Sequence, residues 1–128
     1  MVQVFSARGW ELEVQRGPDW LFVRPGPGAD ATGDPVEFAE QVWSLVEQSF
    51  THRLVLELEN VQFLTSHLIG QLVYLQKRLH GHDGILRISG LSDRNQEVLE
   101  ICRLGGCLPC YRDRESAVMG HWQPQQPR

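Results

Sequence analysis

The sequence predicts a single α/β domain over residues 1–119, a mixed and mostly parallel sheet of about five strands flanked by about four helices, followed by a disordered tail at 120–128. Three observations carry that expectation. Period-two and period-3.6 hydrophobic patterns alternate along the chain, the order that yields strands joined through helices. At 128 residues, 41% of them hydrophobic, the chain can enclose one core but hardly two. No internal repeat or shift of composition divides it.

Residues 10–15 alternate Trp10, Leu12 and Val14 with Glu11, Glu13 and Gln15, the signature of a half-buried strand. Gly17, Pro18 and Asp19 break it, and residues 20–24 (WLFVR) read as the second strand. The run PGPGADATG at 25–33 reads as a flexible loop. Asp34 then suits a helix cap, Pro35 the first helical position, and Glu37 the capping-box acid. Ala39, Val42, Trp43, Val46 and Phe50 form that helix's buried stripe, with Glu40, Gln41, Glu47 and Gln48 outside.

Residues 54–59 (LVLELE) read as a parallel, central strand with Leu54, Leu56 and Leu58 on one face, although Glu57 and Glu59 depart from the usual all-apolar run. After a turn at NVQFL, the stripe Leu68, Ile69, Leu72, Val73 and Leu79 predicts a helix that starts near Thr65 or Ser66 and ends by Gly81. Residues 85–89 form the next strand. Asp93 with Gln96 can cap a third helix whose apolar face is Val98, Ile101 and Cys102, closed by Gly105 and Gly106. Residues 108–111 read as a short last strand and 115–119 as a short last helix. The tail contains two prolines and three glutamines.

Composition removes several function classes. Twelve basic against sixteen acidic residues give a formal net charge of −4 with no long basic run, so direct nucleic-acid binding is not expected. No apolar stretch approaches the roughly 20 residues a bilayer requires, and the N-terminus lacks a charged-then-apolar signal, so no membrane association and a cytoplasmic location are expected. Cys102, Cys107 and Cys110 are too few and too clustered for a disulfide framework. A thioredoxin-like pair needs its first cysteine at a helix N-terminus, and an iron–sulfur site of this spacing needs a fourth cysteine, so the three read as small, buried apolar residues. His80 and His82 flank Gly81 in a turn beside Asp83 and read as solvated rather than as metal ligands. None of GxGxxG, GxxxxGK[ST], GxSxG or HExxH occurs; no enzymatic activity, cofactor or metal is expected.

The junction FLTSHLIG, residues 63–70, stands apart, because a central strand there feeds a helix through adjacent Thr65, Ser66 and His67. Such corners lie at the carboxyl end of an open α/β sheet, where free amides and the positive end of the helix dipole favour a hydroxyl or a phosphate. The simplest role for Thr65 or Ser66 is to cap the helix.

At this junction the chain resembles the STAS domain, the fold of bacterial anti-sigma-factor antagonists. LVLELENVQFLTSHLIGQLVYLQKRL is similar to the family's strand, its aspartate-serine-serine-glycine turn and the helix after it, and ILRISGLSDRNQEVLEICRLGG to the next strand and helix. The resemblance implies a module that binds an anti-sigma factor or serine kinase of the partner-switching type, through Thr65, Ser66, His67, Gly70 and Gln71. Thr65 occupies the family's aspartate position, Ser66 its first serine, His67 the second serine that normally accepts phosphate, and Gly70 its second glycine. Ser66, with Thr65 behind it, is then the nearest hydroxyl for phosphorylation. The substitution at position 67 implies as an alternative a scaffold that holds its partner constitutively, or one that answers to pH through the imidazole.

Overall fold

The computed structural model describes residues 2–7, 10–27 and 38–120. Among the described residues ten elements follow one another: β1 (Val2–Ala7), β2 (Trp10–Arg16), β3 (Leu21–Pro27), α1 (Phe38–Gln48), β4 (Arg53–Glu57), α2 (Ser66–His80), β5 (Ile85–Ser89), α3 (Asp93–Ile101), β6 (Cys110–Tyr111) and α4 (Arg114–Met119). The six strands lie side by side in chain order. β1–β2 and β2–β3 are antiparallel, whereas β3–β4, β4–β5 and β5–β6 are parallel. The α/β class, the mixed and mostly parallel sheet and the four helices agree with expectation, and β4 is central and parallel as its pattern implied.

The sheet has one strand more than the five expected. In β1 the apolar residues Val2 and Val4 lie on one face and Phe5 on the other, so no one-sided stripe announces the strand; pairing with β2, from Val2 opposite Gln15 to Ala7 opposite Trp10, creates it. β3 also runs on into the expected loop as far as Pro27. β4 accompanies β3 only at Leu21, Phe22 and Val23, so among the described residues Pro25 and Pro27 stand where no strand pairs with that side of β3, the place a sheet tolerates proline. Gly120, the first residue of the expected tail, closes α4 at φ 69°, its N–H donating to the Ser116 carbonyl; Asp34, Pro35 and Glu37, the rest of the 25–33 loop and residues 121–128 of the tail lie outside the described residues.

One sheet face supports the larger core, in which Leu12, Val14, Leu21, Val23, Leu54, Leu56 and Ile88 meet Val42, Trp43 and Val46 of α1, Leu68, Leu72, Leu75 and Leu79 of α2, and Leu99 of α3. The other face carries Trp20, Phe22 and Val55 under Ala117 and Val118 of α4. Arginine side chains extend this cover: Arg87 lies over the Trp20 and Tyr111 rings at 5.1 and 5.7 Å, and Arg114 over Phe22 at 4.2 Å.

Several side chains depart from their expected faces. Phe50 falls beyond the end of α1 and is fully exposed. On α3 the inward positions are Asn95 and Leu99, with Val98 half-buried; Ile101 is 76% exposed and Cys102 is exposed. The helix is therefore rotated from its expected face, and the reason is a polar residue on its buried side. Its cap is Ser92, whose hydroxyl accepts from Asn95 N–H, rather than Asp93. Its end comes at Cys102 and Arg103, the latter at φ 59°, before Gly105 and Gly106 are reached.

Candidate functional site

β4 ends at Glu57, and residues 58–65 carry the chain over the carboxyl edge of the sheet into α2. Two backbone bonds start this connection: Leu58 N–H donates to the Ser89 carbonyl at 2.9 Å, and Val61 N–H returns to the Leu58 carbonyl at 3.1 Å. Val61 and Leu64 are buried against the main core. Their backbone polar groups need partners, and Asn95 of α3, 1% exposed, supplies them. Its Nδ2 donates to the carbonyls of Val61 at 3.0 Å and Gln62 at 3.2 Å, and its Oδ1 accepts from Leu64 N–H at 3.1 Å. One side-chain amide thus ties three loop groups to a helix that is distant in sequence.

The loop delivers Thr65 as the cap of α2. Its backbone is extended at φ −80°, ψ 162°, and its hydroxyl oxygen accepts from Leu68 N–H at 3.1 Å. Ser66 is therefore the first helical residue and not the cap. Thr65, Ser66, His67 and Gly70 are all exposed, on the first turns of the helix, while Leu68 between them is buried. The structure thus brings four of the five expected site residues to one surface. Gln71 is half-buried and engaged inside the fold. Its Oε1 accepts from Ala39 N–H at 2.8 Å, so it ties α2 to the first turn of α1.

Gly70 differs from a packing glycine. A Cβ built on it would meet nothing within 4 Å, so no neighbouring element of this chain requires the missing side chain. A glycine inside a helix costs about 1 kcal/mol relative to alanine. Two residues that sequence reasoning passed over complete the surroundings: Phe63 is 56% exposed beside the corner, and the Arg94 guanidinium lies 5.0 Å from its ring centroid. Only the apolar residue in the phrase FLTSHLIG hinted at Phe63. No pattern points to Arg94, an exposed charge on α3, or to Asn95, because a buried polar anchor has no periodicity of its own.

The cysteines differ among themselves. Cys102 is exposed at the end of α3, which corrects the expectation of three buried thiols; Cys107 and Cys110 are half-buried. Cys107 Sγ donates to Gln76 Oε1 at 3.6 Å. Burial, helped by the nearby Glu100 charge, pushes the Cys110 thiol up to about 11. Nucleophilicity needs the thiolate. Mass-spectrometric mapping after brief iodoacetamide treatment at pH 8 is therefore expected to find Cys102 alkylated and Cys110 modified roughly tenfold more slowly or less. Among the described residues no group of three or more His, Cys, Asp or Glu side chains is placed to hold a metal, and no helix is long and apolar enough to cross a membrane.

A mixed sheet whose central parallel strand runs over its carboxyl edge into the exposed start of α2 defines a class of small α/β domains with a strand-to-helix corner at the surface. Within that class the family is settled by sequence: the STAS domain model matches residues 34–117, and the chain belongs to the STAS domain family. No curated protein matches the chain. Solved structures similar to it include an anti-sigma factor antagonist from Mycobacterium paratuberculosis, at TM-score 0.69 and 16% identity over 94% of this chain and 93% of that one. An anti-sigma-factor antagonist (STAS) domain protein from Planctomyces limnophilus aligns at TM-score 0.66 and 18% identity, over 85% and 96%. A putative anti-sigma factor antagonist from Thermotoga maritima aligns at 0.62 and 17%, over 85% and 92%. At such identities the likeness establishes the fold.

Proposed function

We propose that this chain is an anti-sigma-factor antagonist, a non-enzymatic binding module of transcriptional signalling that docks on an anti-sigma factor of the serine-kinase type. Its contact surface is the corner of Thr65, Ser66, His67 and Gly70, with Gln71 holding the helix from behind. The observation that carries this reading is the exposure of that corner on a loop fixed by Asn95. The bare surface at Gly70 supports it, since a helical glycine that its own fold does not require suits close approach by another backbone. The reading carries with it a cytoplasmic location.

Ser66 is the hydroxyl through which a kinase would switch the interaction. Phosphate adds about −1.5 to −2 charge. At the first position of α2 the helix dipole stabilises that charge locally, whereas a docked partner would have to desolvate it. A second reading, constitutive binding without phosphorylation, is favoured by one observation: His67 stands where the family's phosphate-accepting serine belongs.

The test is titration of candidate kinase-type anti-sigma factors, with mass-spectrometric mapping of any phosphate. Ser66→Asp is expected to weaken the complex at least about tenfold, or about 1.4 kcal/mol, with no loss of fold. Ser66→Ala should stay within about 0.5 kcal/mol of the parent in stability, whereas Thr65→Ala, which removes the cap, should lose about 1 kcal/mol. Phosphate on Ser66 or Thr65 supports the switch, and a stable complex without phosphate supports the constitutive reading. Unchanged affinity for both Ser66→Asp and Gly70→Ala would remove this corner from the interface.

A further inference from the structure

β1 forms one margin of the sheet, and among the described residues its outer edge has no paired strand. An open strand is a row of unsatisfied N–H and C=O groups, and proteins guard it with charge, proline, a bulge or brevity. The opposite margin, β6, is guarded in this way: it is two residues long, preceded by Pro109 and followed by Arg112 and Asp113. Within β1 itself these protections are absent, and its one flanking charge is Arg8, which follows Ala7. Its six residues, VQVFSA, contain no charge and no proline, and they pair with β2 one-to-one along their whole length. Val2 and Val4 stand 53% and 58% exposed on the face away from the main core.

We propose that β1 is a self-association edge, on which a second copy of this chain adds its own β1 antiparallel about a two-fold axis at Val4. An isologous two-fold contact between strands is necessarily antiparallel and sets each residue against its own counterpart about the axis. Val4 then stands opposite Val4 of the other copy and position 2 opposite position 6, a register in which no charge meets charge. Net charge does not oppose this. The nearest acidic residues, Glu11 and Glu13, lie one strand back on β2, which places them about three strand spacings, roughly 14 Å, from their equivalents in the other copy. That exceeds the screening length of about 8 Å at physiological ionic strength. A strand from an unrelated partner could satisfy the same backbone groups, but self-pairing also suits the neutral, valine-bearing pattern of the strand.

Sedimentation velocity over about 10–500 μM tests the proposal. The intact chain is expected to move from its 14.6 kDa monomer to twice that mass, and backbone amides of β1 should gain exchange protection as concentration rises. Val4→Lys sets like charges directly opposite and should raise the dissociation constant at least about tenfold; so should Val4→Glu. An equimolar mixture of the two should recover a heterodimer, which only a contact with position 4 against position 4 explains. Val4→Thr, which keeps strand preference, should retain the parent's melting temperature and dimerise weakly. The proposal is overturned if the parent stays monomeric at 500 μM, if Val4→Lys dimerises as the parent does, if the mixture fails to pair, or if the alternate β1 amides that point away from β2 are already protected in the dilute monomer, which would mean that another segment of the chain covers the edge.

Discussion

Replacing Arg114 with methionine is expected to cost about 3 kcal/mol of stability, read as a lower urea midpoint with an unchanged slope. Glu57 on β4 has a side chain only 4% exposed, and a carboxylate in that position must be paired. Arg114 of α4 provides most of the pairing: Nη2 donates to Oε1 at 2.8 Å and Nε to Oε2, while Nη1 reaches Gln15 Oε1 at 2.9 Å. That fork joins α4 to β4 and β2 and lies over Phe22. Arg24 gives secondary support, with its Nη2 3.5 Å from Glu57, and keeps the loss below that of a fully orphaned charge. Removing both charges in Glu57→Leu/Arg114→Met should restore most of the stability, because an apolar pair of similar volume avoids the desolvation cost. If the double variant is less stable than the single one, the pair is not what holds α4.

The same helix has a predictable response to acid. Asp113 caps α4, and its carboxyl is held below the usual range by hydrogen bonds from Ser116, whose backbone N–H lies 2.9 Å from Oδ1. A carboxylate whose folded value is depressed contributes fully above its unfolded value, and the contribution is lost as pH falls through the folded one. Acidification and Arg114→Met therefore loosen the same element. The exposed face beneath it would be the aromatic one, Trp20 and Phe22, which gives tryptophan fluorescence as the measurement.

Much of the fold was legible because the helices and inner strands carry one-sided patterns. Val42, Trp43 and Val46 on α1, and Leu68, Leu72 and Leu79 on α2, are buried where their spacing put them. β1 was not legible, since its apolar residues divide between two faces and only pairing with β2 makes it a strand. α3 is rotated from its expected face for a related reason. Its sequence offers Val98, Ile101 and Cys102 as an apolar stripe, yet the loop over the sheet edge needs a buried amide more than the core needs Ile101, and Asn95 takes the inner position. At the corner, the hydroxyls beside a helix start mark Thr65 and Ser66 with the adjacent His67, while Gly70 is marked only by the family resemblance. That Gln71 looks toward α1, and that Phe63 and Arg94 adjoin the surface, could not be read the same way, because those are contacts between elements.

Asn95→Leu is expected to have the largest effect that joins stability to the docking role proposed for the corner. The replacement leaves Leu64 N–H and two carbonyls without the partner that now satisfies them, at a cost of about 2–4 kcal/mol for buried unpaired groups. Asn95→Asp serves as the informative companion, since it can still accept from Leu64 N–H but cannot donate to Val61 and Gln62. The two variants should therefore separate along the loop. Amide exchange at Leu64 should rise in Asn95→Leu and change little in Asn95→Asp, while both should free residues 61–63. Because Thr65 follows this loop directly, a freed loop also blurs the start of α2, and affinity for the partner should fall in parallel with exchange at residues 64–67 even where the global melting temperature is rescued by a stabilising solute. If affinity instead follows global stability alone, Asn95 holds the core together without setting the corner.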